Sequence, residues 1–302
     1  MAKKITAKGK VKRKLIEGSV EVGLLLCALF SLGMLVLVFY FLLSNSFPFF
    51  SKVSPLDFLT GDYWNPFSAN PSYGVLPLLT GTFLVTMIAG LIAIPIGIGC
   101  SIYISEIASP RMKGVLKPVI EVIAGIPSVV LGLFAVIVLA DWVQTIFDPF
   151  SKLNALLAGL ILAVMMIPIQ VTIAEEAMNS VPRSLREASY ALGATKWETI
   201  RHVVVPASLS GIVASIVLAL GRAIGETMAV TMVAGNAAQV TTNPLYPVLT
   251  MPASLAIEIP EAVVGSNGYQ ALFAVGLLLF IITFAVNMIA DVILVRYREA
   301  YK

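Results

Sequence analysis

The sequence predicts an all-α integral membrane protein with six transmembrane helices and both termini on the cytoplasmic side. Three observations carry this. Hydrophobic residues make up 58% of the 302 residues and charged residues only 12%, with a mean hydropathy of +0.93, a balance foreign to water-soluble domains. Apolar stretches long enough to cross a bilayer, about 20 residues each, recur six times. Finally, 17 of the 20 lysines and arginines fall in the amino-terminal arm, the loop after the second stretch, the insert after the fourth and the carboxyl tail. Lys52 and Lys152 lie on the other side and Arg222 lies within a span. Such an excess of positive charge marks the cytoplasmic side.

The elements follow in order. Residues 1–19 form a basic arm with Lys3, Lys4, Lys8, Lys10, Lys12, Arg13 and Lys14, which beside a membrane helix reads as a cytoplasmic anchor rather than a nucleic-acid tail. Span one, 20–43, is too long for a signal-peptide core and lacks a small-x-small cleavage site, so it is predicted to be retained. An external, Pro-rich loop covers 44–73; Ser54-Pro55-Leu56-Asp57 can open a short helix there, and the aromatics near Trp64 suit either a membrane interface or the outer surface of the domain. The core domain, 74–295, holds the other five spans. Span two, 74–104, has Pro95 as its expected kink. A short basic loop with Arg111, Lys113 and Lys117 leads to span three, 119–140, whose Glu121 suits a solvated or headgroup position. Span four, 153–173, carries Pro168 and runs through Glu175 and Glu176 into an insert, 181–208. Span five is 209–235 and span six 271–295. Between them, 236–270 is an outward segment broken by Pro244, Pro247, Pro252 and Pro260, which either meets an external protein or dips back toward the pore mouth. Residues 296–302 form a cytoplasmic tail. Cys27 and Cys100 both fall in apolar spans, so neither a disulfide nor a metal site is expected.

The insert is the most legible stretch. Pro182 suits a first helical turn, Gly193 the left-handed position after a helix, and Thr195 with Glu198 a capping box. Helix, turn and helix are therefore expected. Leu185, Ser189 and Leu192 share one face, while Ala188, Ala191 and Ala194 keep the surface shallow enough for a partner's groove. The alternative is an amphipathic helix on the membrane surface. Glu187-Ala188-Ser189, with Gly193 four residues on and Val203-Val204-Val205-Pro206 after it, resembles the EAA loop of ABC importer permeases, with serine in place of the usual second alanine and valines in place of isoleucine or leucine. The resemblance implies a type I ABC importer permease fold, in which Glu187, Ala188, Ser189 and Gly193 dock into a separate ATPase subunit. No Gly-rich phosphate loop followed by Lys-Ser or Lys-Thr occurs in the chain, so it is expected to have no nucleotide site and not to be an enzyme.

Span five contains Gly221-Arg222-Ala223-Ile224-Gly225-Glu226-Thr227. A guanidinium near the bilayer centre costs roughly 2.5 to 3.5 kcal/mol on insertion scales, so it must face protein or water. Projected on one continuous helix, Arg222 and Glu226 fall among Gly211, Ser215 and Ala219, opposite a lipid-suited face of Val213, Val217, Leu220 and Ile224. Such a small-residue seam suits contact with another helix or subunit. Two readings stay open: an i, i+4 salt bridge, for which the Arg-before-Glu order is the weaker one, or an anion site in which Arg222 offers its fork to an oxyanion and Glu226 limits the affinity.

This segment, and the run Ala124-Gly125-Ile126-Pro127-Ser128-Val129-Val130-Leu131-Gly132-Leu133-Phe134, resemble inorganic phosphate importer permeases. Met228-Ala229-Val230 and Gly235-Asn236 are similar to the PstC type. The resemblance implies translocation residues Arg222, Glu226 and Thr227, and a multi-pass subunit of the cytoplasmic (inner) membrane, in contact with lipid and with no nucleic-acid partner. It implies a PstA-type second permease, an ATPase dimer and an extracytoplasmic phosphate-binding protein as partners. ATP and Mg belong to the ATPase, with no cofactor or metal on this chain. Molybdate or sulfate transport, and a role as a membrane component of phosphate signalling, are the competing expectations.

Overall fold

In the computed structural model, which describes the backbone of residues 7–299 and the side chains of 18–289, 291 and 292, helix follows helix. The long α1 (Ala7–Phe50) is followed by the short α2 (Pro55–Thr60) and a hairpin pairing β1 (Trp64–Asn65) with β2 (Ser72–Tyr73). Then come α3 (Leu76–Ile102), ending in a π-helical turn Tyr103–Ile107, and α4 (Pro110–Ala124). α5 (Ser128–Phe134) passes through π-helical Ala135–Leu139 into α6 (Ala140–Phe147), and α7 (Ala155–Asn179) leads to the insert. The insert comprises α8 (Arg183–Ala191), α9 (Lys196–Thr199), π-helical Ile200–Val204 and α10 (Val205–Ala207). α11 (Leu209–Ile224), α12 (Met228–Val233), α13 (Met251–Glu258), a 3-10 turn Ile259–Glu261 and α14 (Asn267–Glu299) complete the chain.

Small residues decide which helices meet. α3 crosses α7 where Gly159 faces Ile88, so closely that an added Cβ would collide with that side chain. α11 lies on α7 with Gly211 against Ala177, and Ser215 and Ala219 are fully buried in that seam. These three helices form the centre, walled by Val85, Ala89, Leu157, Ile161, Leu162 and Met166. On one flank α12 packs on α5 across Gly132, whose added Cβ would lie 2.9 Å from Met232 Sδ and 3.1 Å from Ala229 Cα. On the other, α14 packs on α11, and α1 leans on α14 through Phe39 on Phe280 (5.6 Å between rings) and Phe41 on Phe273 (5.4 Å). At the end where α2 and the hairpin lie, a second core gathers Phe49, Phe58, Trp64, Val75, Leu78, Met251 and Leu272. Ser54 caps α2 as expected, accepting from Leu56 N at 3.3 Å.

Five described helical stretches are long and apolar enough to cross a membrane, and a sixth results if Lys196–Ala207 and Leu209–Ile224, bent by 68°, count as one broken span. Several boundaries differ from expectation. The first helix continues to Phe50, through Pro48. Ser44, Asn45 and Ser46 are helical, and their side chains donate back to the carbonyls of Phe41 and Leu43. The third span is Ser128–Phe147 rather than 119–140. Residues expected as a short basic loop and the start of that span instead form α4, capped by Ser109 and with none of its residues buried. The chain breaks after it because Pro127, with φ −57° and ψ 136°, cannot donate to a helical ladder and drives its predecessor out of the helical region. Span four extends to Asn179. The lysines and arginine of the basic arm, and Arg296 and Arg298 of the tail, lie outside the residues with described side chains.

Candidate functional site

Span five is not one helix. Gly225 ends α11, Thr227 sits at φ −109° and ψ −61°, and α12 begins at Met228. The projection of Arg222 and Glu226 onto a single face therefore fails, and the i, i+4 salt bridge does not form: no ion pair or hydrogen bond of the guanidinium occurs among the described residues. Glu226 Oε1 instead accepts from Ala229 N at 3.3 Å and so caps α12. The Thr227 hydroxyl donates to Gly225 O (3.2 Å), and the Thr227 carbonyl accepts from Thr231 Oγ1 (2.7 Å). The seam of Gly211, Ser215 and Ala219 is spent on α7, inside the chain. Arg222 emerges at its margin, exposed, where Arg222, Ala223 and Glu226 face Leu162, Met165, Met166 and Ile169 of α7 across a narrow hollow. Ile224, placed on the lipid-suited face by the continuous-helix projection, is only 6% exposed; with Leu220 it borders an apolar groove against α3.

Residues 236–270 fold back onto this region. Gly235 (φ 82°) and Asn236 (φ 51°) reverse the chain after α12, a conformation that glycine and asparagine adopt at least cost. Asn236 Nδ2 donates to Thr231 O (2.8 Å), and Val248 N to Ala234 O (2.9 Å). The carbonyls of Pro244 and Tyr246 accept from Leu156 N and Ala155 N, the otherwise unpaired first turn of α7. Thr82 Oγ1 accepts from Met251 N at 2.9 Å in the interior. Beside the hairpin, Trp64 Nε1 donates to both carboxylate oxygens of Glu258 (3.1 and 3.0 Å), and burial raises that carboxyl above its ordinary pKa.

The insert has the expected punctuation. Pro182 stands at the amino-terminal boundary of α8, and Gly193 follows the helix at φ 86°. Both arms of the capping box are made, with Thr195 N donating to Glu198 Oε2 (2.7 Å) and Glu198 N to Thr195 Oγ1 (3.3 Å). The backbone and side-chain bonds from Thr195 hold the Glu198 carboxyl below its usual range. Along the face of Leu185, Ser189 and Leu192 the burial is uneven: Ser189 is turned inward, its Oγ 2.9 Å from Thr199 Oγ1, while Leu192, at the helix end, is 89% exposed. Glu187, Ala188 and Gly193 are exposed, amid Leu185, Tyr190, Leu192 and Trp197. Arg222 and this knob lie toward opposite ends of α11, about 20 Å apart along its axis at 1.5 Å per residue. The structure brings Glu187, Ala188 and Gly193 together on one surface and Arg222, Glu226 and Thr227 at one break, and it does not join the two sets. Arg186, counted in the sequence only for its charge, proves to tie α8 to the end of α3, paired with Glu106 at 2.8 Å.

Residues 93–299 match the family model described as "Binding-protein-dependent transport system inner membrane component". The chain is 40% identical over 274 residues to the probable ABC transporter permease protein YqgH of Bacillus subtilis, covering 90% of this chain and 87% of that protein. It is 39% identical over 258 residues to the phosphate transport system permease protein PstC of Mesorhizobium japonicum, covering 79% and 78%. Among solved structures, a bacterial ABC transporter involved in the import of the acidic polysaccharide alginate superposes with a TM-score of 0.62 at 13% identity, over 95% of this chain and 99% of that one. The inward-facing MetNI methionine ABC transporter gives a TM-score of 0.54 at 21% identity, over 74% and 94%. At such identities the likeness is one of fold, and the fold is that of a type I ABC importer permease.

Proposed function

This chain belongs to the family of binding-protein-dependent transport system inner membrane components, and we propose that it is the PstC-type permease subunit of an ATP-driven importer carrying inorganic phosphate across the cytoplasmic membrane. The phosphate permeases among its relatives support the substrate. The observation that carries the site is Arg222: a guanidinium without a partner among the described residues, on an exposed face near the middle of the stretch 209–233, beside a break in the helix. A charge left uncompensated at that depth needs an anion, water or another subunit. A planar fork suits the tetrahedral oxygens of phosphate. Glu226, fixed at the start of α12, sets a negative charge near the path and keeps the anion from binding too tightly to leave, and the Thr227 oxygen offers a polar contact in the same break.

A PstA-type permease supplies the facing half of the path. The surface of Glu187, Ala188 and Gly193 docks one subunit of an ATPase dimer, which binds ATP with its magnesium, while Ser189 holds the knob's two short helices together from within. Both termini lie with the insert on the cytoplasmic side, and a phosphate-binding protein delivers substrate from outside. Closure of the ATPase pair rocks the permeases between outward- and inward-open states, and no covalent bond is made by this chain. Uptake of labelled phosphate by vesicles holding the assembled complex tests this. ATP-dependent, saturable uptake suppressed by unlabelled phosphate but not by sulfate or molybdate is expected. Uptake of either competitor in place of phosphate overturns the substrate, and an assembled complex without uptake points to a signalling component.

A further inference from the structure

α8 has little apolar attachment to the membrane-spanning body. Its sole buried residue is Ser189, and that hydroxyl bonds to α9, within the insert itself. What ties α8 downward is Arg186. Its Nη2 donates to Glu106 Oε1 and to Met178 O, each at 2.8 Å, and its Nη1 donates to Val181 O. One side chain thus grips the π-helical end of α3 and the carboxyl end of α7 together. The network continues inward. Ser105 Oγ lies 3.0 Å from Glu106 Oε1 and 3.1 Å from Asn179 Oδ1, one hydroxyl shared between two acceptors. Asn179 Nδ2 donates to Glu175 Oε1, which pairs with Lys117 Nζ of α4 at 2.9 Å. Lys113, also on α4, donates to Ser105 O at 2.6 Å.

We infer that this linked set, Arg186–Glu106–Ser105–Asn179–Glu175–Lys117, is the rigid connection that passes movement of α8 to the cytoplasmic ends of α3, α4 and α7; the inference rests on the reading of the insert as the ATPase docking knob. Burial makes the connection stiff. Exposed ion pairs slip and contribute little, whereas the side chains of Arg186, Glu106 and Glu175 are only 16%, 9% and 4% exposed, and Lys117, 45% exposed, is the wet end of the set. Shielded from water, the Arg186–Glu106 pair is held to one geometry, because sliding either partner away strands a charge in a poor dielectric. Each of the two carboxylates meets one cation, Glu106 with Arg186 and Glu175 with Lys117, while Lys113 donates to a backbone carbonyl. Glu106 and Arg186 are positioning residues: they act on the path only through the helices they join.

The test uses the assembled complex in proteoliposomes with its phosphate-binding protein. Glu106→Cys and Arg186→Cys are introduced together in a Cys27→Ser, Cys100→Ser background. Unbridged, the pair is expected to lower phosphate uptake per ATP hydrolysed at least tenfold, while hydrolysis by the ATPase subunits persists without stimulation by the loaded binding protein. Bridging the two thiols with a bifunctional methanethiosulfonate of matching length is expected to restore the ratio, a rescue that a merely stabilising role does not give. Unchanged uptake without the bridge, or no recovery with it, overturns the inference. Should the double variant fail to assemble, Arg186→Lys decides: it keeps the charge but loses the three-way grip, so a severalfold drop in the ratio supports the linkage and wild-type coupling overturns it. Gly193→Trp in the same preparation separates the linkage from the docking assignment. If that variant transports normally, the docking assignment falls; if it fails while the unbridged pair transports, only the linkage falls.

Discussion

Arg222→Gln separates a transport role from a structural one, because the two make opposite predictions for stability. The Arg222 guanidinium has no hydrogen-bond or ion-pair partner among the described residues, so shortening it strands no acceptor. A substitution of that kind changes stability by about 0.5 kcal/mol or less. The interaction forfeited with a bound oxyanion is larger, about 1.5–3 kcal/mol for hydrogen bonds to charged groups, which corresponds to roughly 10- to 150-fold in apparent affinity. Purified complex with Arg222→Gln is therefore expected to show wild-type subunit stoichiometry and an unfolding midpoint within about 2 °C of the parent, the small end of the shift expected for such a change in a large chain. Its phosphate uptake should need that much more substrate or be lost. Arg222→Lys, with the charge but without the planar fork, should fall between the two. Loss of assembly in Arg222→Gln, or uptake with unchanged concentration dependence, would refute the anion-binding role.

Three further outcomes are expected. At Gly193 an added Cβ meets nothing within 4 Å, so Gly193→Trp should leave membrane insertion intact, cost about 1–2 kcal/mol through its left-handed backbone, and abolish uptake by spoiling the docking surface; normal uptake counts against docking. In α3, a Cβ on Gly97 would lie 2.6 Å from Gln170 Oε1, so Gly97→Ala should destabilise by about 1–3 kcal/mol, and adding Gln170→Ala should recover part of that loss in thermal unfolding, the opposite of additive cavity damage. Glu258 has its carboxyl raised by burial, so the folded state favours the protonated form: its contribution is complete below the ordinary carboxylate pKa and fades as pH rises through the higher folded value. Unfolding temperature measured against pH should decline across that window, and Glu258→Gln should flatten the decline.

Helix punctuation made the insert legible, since Gly193 and the Thr195–Glu198 box each act within a few residues and owe nothing to distant partners. Apolar length likewise exposed the spans. The breaks were harder. Gly225-Glu226-Thr227 contains no proline, so a projection at constant pitch ran through it, and only Glu226 serving as a cap for Ala229 reveals that a new helix starts there. At Gly125-Ile126-Pro127 the signal was present, but the surrounding apolar composition masked it and α4 was absorbed into a span. Ser44, Asn45, Ser46 and Pro48 read as a loop because polar residues and proline are poor helix formers by local preference, yet α1 runs through them to Phe50. The linkage beneath the insert could not be read at all. Arg186 finds Glu106 across 80 positions and Ser105 finds Asn179 across 74, and no local periodicity encodes such a meeting.

Among the described residues the three π-helical turns, at Tyr103–Ile107, Ile200–Val204 and Ala135–Leu139, let the molecule absorb extra length without losing phase. Each wide turn accommodates one more residue than an α-helical turn, whereas one residue added at α pitch corresponds to about 100° of rotation. Deleting a single residue within 200–204 is expected to return the stretch to α pitch while the helices on either side keep their azimuth and the side chains with which they pack. The same deletion within an α-helical turn would swing one side by that angle, so these wide turns are the places where the chain tolerates a change of length.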